Sequence, residues 1–303
     1  IPPKTVKTSR HKEVIEVGDK VDLFRLPIPM SSIYDGGPMI TAGVVIAKDP
    51  EHGINSGMYR FMVKEKNLTG IDIVTPNNMR LFAQRAFEAG RPCPISISIG
   101  THPFEIMGSG FRAPLGVDEM AIAGGIRGAP VELAMCETID MPCIANAEIV
   151  LEAEILPTGW THPEGRFGEF TRLMGGLHWN PLVKVKAITR RRHAIYYALH
   201  MPWENTWLAA PTRYTSLRRA LKSAGIQVKD INVTLGGCGF WHAIISITKQ
   251  AGEGKNALLA ALTAQDIKHV VVVDDDIDVH NAMDVEWAIA TRVQGDRDVM
   301  IIP

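Results

Sequence analysis

The periodicity of this chain changes once, near Pro211, and that change limits what the chain can fold into. Up to that point strands dominate. Residues 40–47 are apolar and largely β-branched, and 58–64 mix apolar and polar positions at a strand period. Residues 94–99 (Pro-Ile-Ser-Ile-Ser-Ile) alternate without a break, which predicts a half-buried strand. Further strands are expected over 131–134, 147–156, 182–189 and 193–199. Two helices interrupt them: 79–89, stopped by Gly90, and 119–126, stopped near Gly128-Ala-Pro130. Residues 1–40, with Pro residues two apart at Pro27 and Pro29 and a turn at Asp35-Gly-Gly-Pro38, read as an extended leading arm.

After Pro211 helices and strands alternate. Helix is expected over 216–224, closing on Gly225, then strands over 228–235 and 243–248 and a helix over 256–263. A strand over 269–273, a helix over 284–292 and a last strand over 299–302 complete the series. Such alternation makes a small α/β layer domain. The expected class is therefore α+β with a boundary at 205/206. The length of 303 residues accords with two domains. Because the chain opens on Ile1 without a methionine and closes on an expected strand, sequence is expected to extend beyond both ends.

Composition narrows the function classes. With 32 basic and 33 acidic residues the net charge is -1, so no global basicity points to nucleic acid or an anionic membrane. No apolar run approaches the roughly 20 residues that span a bilayer. Cys93, Cys136, Cys143 and Cys238 are scattered, with no CxxC pair, as expected of reduced thiols in a cytoplasmic protein.

Four constellations carry chemically useful side chains. In Glu164-Gly-Arg-Phe-Gly-Glu169 two carboxylates lie five apart among glycines. On an ideal strand they would face opposite ways, so a bend at Gly165 or Gly168 is needed to bring them together, as acid–base chemistry requires. The ordinary alternative is a surface hairpin with exposed acids. Asn55-Ser-Gly-Met-Tyr-Arg60 gathers an amide, a hydroxyl and a guanidinium, donors suited to phosphate or carboxylate, or else a polar turn before a strand. Gly116-Val-Asp-Glu119 places acids at a helix start, where they serve as caps in most proteins. Asp274-Asp-Asp-Ile-Asp278 lacks the glycine and closing glutamate of a calcium loop and reads as a solvated strand end. Arg190-Arg-Arg192 reads as an exposed turn.

Taken in order, these motifs resemble the UbiD family. The resemblance rests on Asn55/Met58/Arg60, Pro76, Glu119 with Gly128-Ala-Pro130, Glu148-Ile-Val-Leu-Glu152 and Glu164 to Glu169. It continues through Asp274 to Asp278, Asp284-Val-Glu-Trp-Ala288 and Thr291-Arg292, spanning roughly residues 20–302. It implies that residues 1–205 form a central split β-barrel, similar to flavin reductases, that binds prenylated FMN, and that 206–303 form an incomplete C-terminal α/β domain. The family's N-terminal segment and C-terminal tail have no counterpart here.

By the same resemblance, Asn55, Asn78 and Glu119 hold Mn2+ (or Mg2+), with K+ nearby, and so anchor the cofactor phosphate. Family members commonly carry histidine where this chain has Asn78; an amide oxygen is still a ligand for a hard cation, but a neutral and weaker one. The implied cofactor-binding set is Asn55, Ser56, Met58, Tyr59, Arg60, Asn77, Asn78, Ser109 and Glu119, and the implied catalytic set is Arg60, Glu164 and Glu169. Glu169 would donate the proton, with Arg60 orienting it and Glu164 holding Arg60. The implied activity is reversible non-oxidative decarboxylation of an aromatic, heteroaromatic or α,β-unsaturated acid. A flavin prenyltransferase would supply the cofactor, and the protein would be a homo-oligomer, dimer or hexamer. A non-catalytic assembly subunit of the same fold and a plain flavin-binding reductase are the rival readings. Arg166, Arg172, His178 and Trp179 flank the glutamate segment and could line a substrate pocket or lie on the surface.

Overall fold

In the first two-thirds of the chain, alternating side chains produce strands whose apolar faces turn inward on one another. The computed structural model describes residues 1–201 and 203–302. It divides into two compact units, Ile1–Glu204 and Asn205–Pro303.

The strands of the first unit are β1 (Lys4–Thr5), β2 (Val14–Val17), β3 (Met39–Asp49), β4 (Gly53–Glu65), β5 (Leu68–Gly70) and β6 (Cys93–Ile99). They continue with β7 (Glu132–Met135), β8 (Pro142–Ile144), β9 (Ile149–Ile155), β10 (His162–Glu164), β11 (His178–Asn180) and β12 (Leu182–Arg190). Its helices are α1 (Asn78–Glu88), α2 (Pro103–Ser109) and α3 (Glu119–Arg127). Six strands close an antiparallel barrel in the order β12-β5-β4-β3-β6-β9, with β9 returning to β12. One edge of β12 pairs with β9 along most of its length; the other pairs with β5 at Leu182–Lys184 and with β2 at Ala187–Arg190. Closure leaves the barrel no unpaired edge. Phe61, Val63, Ile95, Ile97, Leu151, Ile155 and Val183 fill it, joined by Met79 and Phe82 of α1. Burying a side chain of this size is worth about 1.5–3 kcal/mol.

The structure departs from the sequence reading in several places. Strand β6 is buried on both faces, not one: Ser96 and Ser98 are fully enclosed because β8 covers them, with Ser96 Oγ donating to Pro142 O (2.6 Å) and Ile144 N to Ser98 Oγ (3.2 Å). Residues 193–199 form no strand, since both edges of the preceding β12 are already paired. The leading arm contains β1 and β2, and α2 and β8 were not anticipated. Within the Arg190-Arg-Arg192 turn only Arg192 is exposed; Arg191 pairs with Glu148 at 3.0 Å.

The second unit contains α4 (Trp203–Ser223), whose first two residues count with the first unit, followed by β13 (Val228–Val233), β14 (His242–Ile247), α5 (Glu253–Leu262), β15 (His269–Asp274) and α6 (Ala282–Arg292). Helix α4 begins ahead of Pro211 and runs through it. Strand β14 is central, antiparallel to β13 and parallel to β15. Leu217 and Leu221 of α4 and Ala257 and Ala261 of α5 pack with Ala243, Ile245 and Ile247, while Val285 and Ala288 of α6 pack with Ile244 and Val273. The result is three layers, helix on sheet on helix. The acidic loop Asp274–Asp278 is tied down by Arg292, which grips Asp276 at 2.6 and 2.9 Å. Residues 299–302 form no strand and are solvent-exposed. Among the described residues no helix is long and apolar enough to cross a membrane.

Candidate active site

Strand β4 carries both halves of the site. Phe61 and Val63 point into the barrel core, so Arg60, Met62 and Lys64 between them point outward. One half lies at the Asn55 end. A cavity of about 430 Å³ is lined there by Asn55, Ser56, Met58, Tyr59, Asn77, Asn78, Ser109 and Glu119, together with Gly57, Thr75, Pro76 and the segment Gly110–Ala113. Every cofactor-binding residue expected from sequence except Arg60 lines it. The segment 110–113 was missed; it is irregular, and only the cation at Arg112 could have drawn notice.

The acids at the start of α3 divide two roles. Asp118 is the helix cap, accepting from Met120 N at 2.8 Å. That leaves Glu119 in the first turn, 2% exposed, accepting from Ser56 N at 2.8 Å. Burial pushes the Glu119 carboxyl up to about 7. Among the described residues no cationic side chain pairs with it, so a buried carboxylate faces the cavity uncompensated. Burial likewise raises Tyr59, aided by the charge of Glu119, while a hydrogen bond with Asn55 opposes it. Helices α2 and α3 bring these groups together by close approach: a Cβ on Gly108 would stand 2.6 Å from that of Ala123. Ser109 thereby lies 3.5 Å from Ser56, hydroxyl to hydroxyl. Asn77 caps α1 through Arg80 N (2.9 Å) and donates to Thr75 O, and Asn78 follows it, half-buried.

This donor set fits a hard cation. Asn55, Asn78 and Glu119 offer two neutral oxygens and one carboxylate to one cavity, and a divalent ion would balance the charge of Glu119. The one cluster of three acid or histidine ligands among the described residues, Asp49, Glu51 and His52, is already engaged by Arg85, at 2.9 Å from Asp49 and 2.6 Å from Glu51.

The other half lies at Arg60. Glu164, on β10, and Glu169, beyond it, do converge. Arg60 Nη1 donates to Glu169 Oε1 at 2.5 Å, and Arg60 Nε lies 3.6 Å from Glu164 Oε1. The guanidinium stands 5.2 Å from the Phe167 ring centroid. Glu164 is fully buried and accepts from Asn180 Nδ2 at 3.2 Å. Burial drives its carboxyl up to about 7, Arg60 opposing. The glycines around it serve chain against chain: a Cβ on Gly165 would lie 2.5 Å from Gly36 Cα, so the Asp35-Gly-Gly-Pro38 turn and the glutamate segment touch backbone to backbone. Asp35 Oδ1 accepts from Gly168 N at 2.9 Å and Gly36 N donates to Arg166 O at 2.8 Å, which sets the bend. His178 joins the cluster, its Nδ1 3.4 Å from Arg60 Nη2, whereas Trp179 is 54% exposed and Arg172 stacks on Trp203. Asp72, not anticipated from sequence, forms an ion pair with Arg60 Nη2 at 2.6 Å.

The closed barrel, with a polar cavity and an arginine–carboxylate cluster on one strand, is similar to solved UbiD-class enzymes that hold a flavin. This chain belongs to the UbiD family. The family description "3-octaprenyl-4-hydroxybenzoate carboxy-lyase Rift-related domain" matches residues 4–202, and that of the same enzyme's C-terminal domain matches 206–303. Among solved structures it is similar to the UbiD-class enzyme HmfF from Pelotomaculum thermopropionicum in complex with FMN, at 39% identity and a TM-score of 0.93 over 98% of this chain and 68% of that one. An evolved dimeric form of HmfF in complex with prFMN gives 38%, 0.95, 100% and 72%. The 3,4-dihydroxybenzoic acid decarboxylase of Klebsiella pneumoniae gives 30%, 0.90, 98% and 66%. Among curated proteins it is 38% identical to the anhydromevalonate phosphate decarboxylase of Methanothermobacter thermautotrophicus, over 94% of this chain and 67% of that protein. The chain spans about two thirds of the length of such relatives.

Proposed function

We propose that this chain is the catalytic part of a prenylated-FMN-dependent decarboxylase acting on an acid whose carboxyl sits on an unsaturated carbon. The observation that carries the reading is Arg60 held between carboxylates on the same strand that lines the cavity. Asn55 and Arg60 are five residues apart on β4, roughly 16 Å at the usual strand rise. That separation suits an extended cofactor with its phosphate at one end and its reacting ring at the other. The similarity to structures holding FMN and prFMN supports the flavin; the relatives' named substrates include a dihydroxybenzoate and anhydromevalonate phosphate, which share an unsaturated acid rather than an aromatic ring.

Asn55, Asn78 and Glu119 would hold Mn2+ or Mg2+, with K+ nearby, and the metal would in turn anchor the phosphate. When bound, the prenylated flavin supplies the electron sink that decarboxylation at an sp2 carbon requires. The protein's part is position and a proton. Glu169, 25% exposed against none for Glu164, is the acid a substrate can reach, and it delivers its carboxyl proton to the carbon that has lost CO2. Arg60 Nη1 orients Glu169 Oε1 and steadies the carboxylate left behind. The reverse carboxylation uses the same groups. The full-length protein co-expressed with a flavin prenyltransferase tests this reading by mass and absorbance spectra: prenylated FMN with decarboxylation of an unsaturated acid is expected. Unmodified FMN alone with activity intact contradicts it.

A further inference from the structure

We infer that Asp72 is the positioning residue of this site: it, rather than Glu164, fixes the Arg60 guanidinium so that Nη1 meets Glu169. The inference rests on the functional reading above and deepens it. Three carboxylates surround Arg60, but they hold it differently. Asp72 Oδ2 makes an ion pair with Nη2 at 2.6 Å, and Glu169 Oε1 accepts from Nη1 at 2.5 Å. Glu164 stands off at 3.6 Å, and both Arg60 Nε and Glu164 Oε1 are buried without a hydrogen-bond partner. A planar guanidinium held by short contacts at both Nη atoms has little freedom to turn, whereas the longer Nε contact restrains it less.

The two gripping acids also differ in how firmly they are mounted. Asp72 lies between Ile71 and Ile73, which are 0% and 1% exposed and belong to the barrel core. Alternation turns its side chain away from that core and toward Arg60. Its backbone is registered on the same residue, Asp72 N donating to Arg60 O at 3.2 Å. Glu169, likewise outside any strand, is flanked by the half-buried Gly168 and Phe170, with Glu169 N donating to Leu173 O at 2.9 Å. An acid that gives up and regains a proton needs a fixed partner, and that partner needs an anchor of its own. Asp72 is that anchor. His178 Nδ1 lies 3.5 Å from the same Asp72 oxygen.

The charged groups facing Glu164 are Arg60 and Lys64 from β4, Asp72 from the segment after β5, with Glu169 and His178 beyond Arg60. Asp72 is the neighbour whose negative charge opposes ionisation of Glu164. Removing that charge therefore has a signature that loss of packing does not share.

The test compares full-length wild type, Asp72→Asn and Asp72→Glu. Carboxyl carbon NMR titration of the apoprotein should show the Glu164 midpoint lower in Asp72→Asn and returned toward wild type in Asp72→Glu. In flavin-loaded protein, Asp72→Asn should keep its flavin content, lose roughly 10- to 100-fold in turnover, and shift the alkaline limb of its pH–kcat profile downward. Asp72→Glu should recover part of the rate. Wild-type turnover and pH profile in Asp72→Asn overturn the inference, as does an unmoved Glu164 midpoint. If loaded wild type turns over no acid at all, the functional reading fails, and the apoprotein titration still decides the place of Asp72.

Discussion

Replacing Glu164 with glutamine asks whether burial or the Arg60 charge governs this carboxyl. In the unfolded chain Glu164 ionises at its ordinary 4.5; in the fold, burial carries it to about 7 despite Arg60, Lys64 and Asn180. The folded state therefore binds the proton more tightly. Below the unfolded value both states are protonated and the group's contribution to stability is fully present. As pH rises toward about 7 the unfolded chain releases its proton first, and stability falls by about 1.4 kcal/mol per pH unit. The loss reaches roughly 3 kcal/mol above the folded value. Glutamine keeps the size and a hydrogen-bonding oxygen but does not titrate. The stability of Glu164→Gln minus that of wild type should therefore rise by about 3 kcal/mol between about pH 4.5 and pH 8. Urea unfolding of both apoproteins across that range, followed by far-ultraviolet circular dichroism, measures the difference, from which carboxylates away from Glu164 cancel. A difference that stays flat, or falls as pH rises, would refute the reasoning and mean that Arg60 holds Glu164 ionised throughout.

The cavity wall makes its own predictions. Glu119→Ala should strip both divalent metal and flavin from protein purified without chelator, as read by elemental analysis and absorbance; unchanged content of both would remove Glu119 from the metal site. Asn78→His should slow metal loss to chelator, since imidazole is the stronger ligand for a transition ion, and no change would separate Asn78 from the metal. Gly165→Ala sets a Cβ within 2.5 Å of Gly36 backbone, where nothing flexible can yield. It should cost about 1–3 kcal/mol and lower the melting temperature, whereas Gly176→Ala, with nothing within 4 Å, should not.

Local patterns revealed much of this fold. The runs that became β4 and β12 were legible because a barrel wall with one buried face demands alternation, β3 because it is continuously apolar and β-branched, β6 because Ile and Ser alternate although both faces are covered, and α1 because Met79, Phe82, Ala83 and Ala86 repeat at helical spacing. The apolar run 193–199 misled because strand propensity does not supply a partner, and β12 had none to give. Short β2 and β8 were illegible for the opposite reason: each is defined by the edge or face it covers.

The site divides in the same way. Asn55, Asn78 and Glu119 carry polar types in a sequence order that resembles the family, and all three line one cavity. Asp72 escaped notice because Ile-Asp-Ile is an ordinary outward-facing pattern; what gives it meaning is Arg60, twelve residues earlier and across a β-turn connection. The glycines flanking Glu164 signalled close approach, but only the fold shows that the approaching partner is Gly36.

The most direct measurement is made on Glu169→Gln in the flavin-loaded, full-length protein. Glutamine keeps the length of the side chain and an oxygen for Arg60 Nη1, but has no proton to deliver to the product carbon. Turnover and hydrogen–deuterium exchange at that carbon are followed together, with flavin content determined on the same sample. The account predicts that both rates fall by about 10²–10⁴-fold while flavin content is unchanged. Decarboxylation and exchange at wild-type rates in Glu169→Gln would contradict it and move the proton to another group.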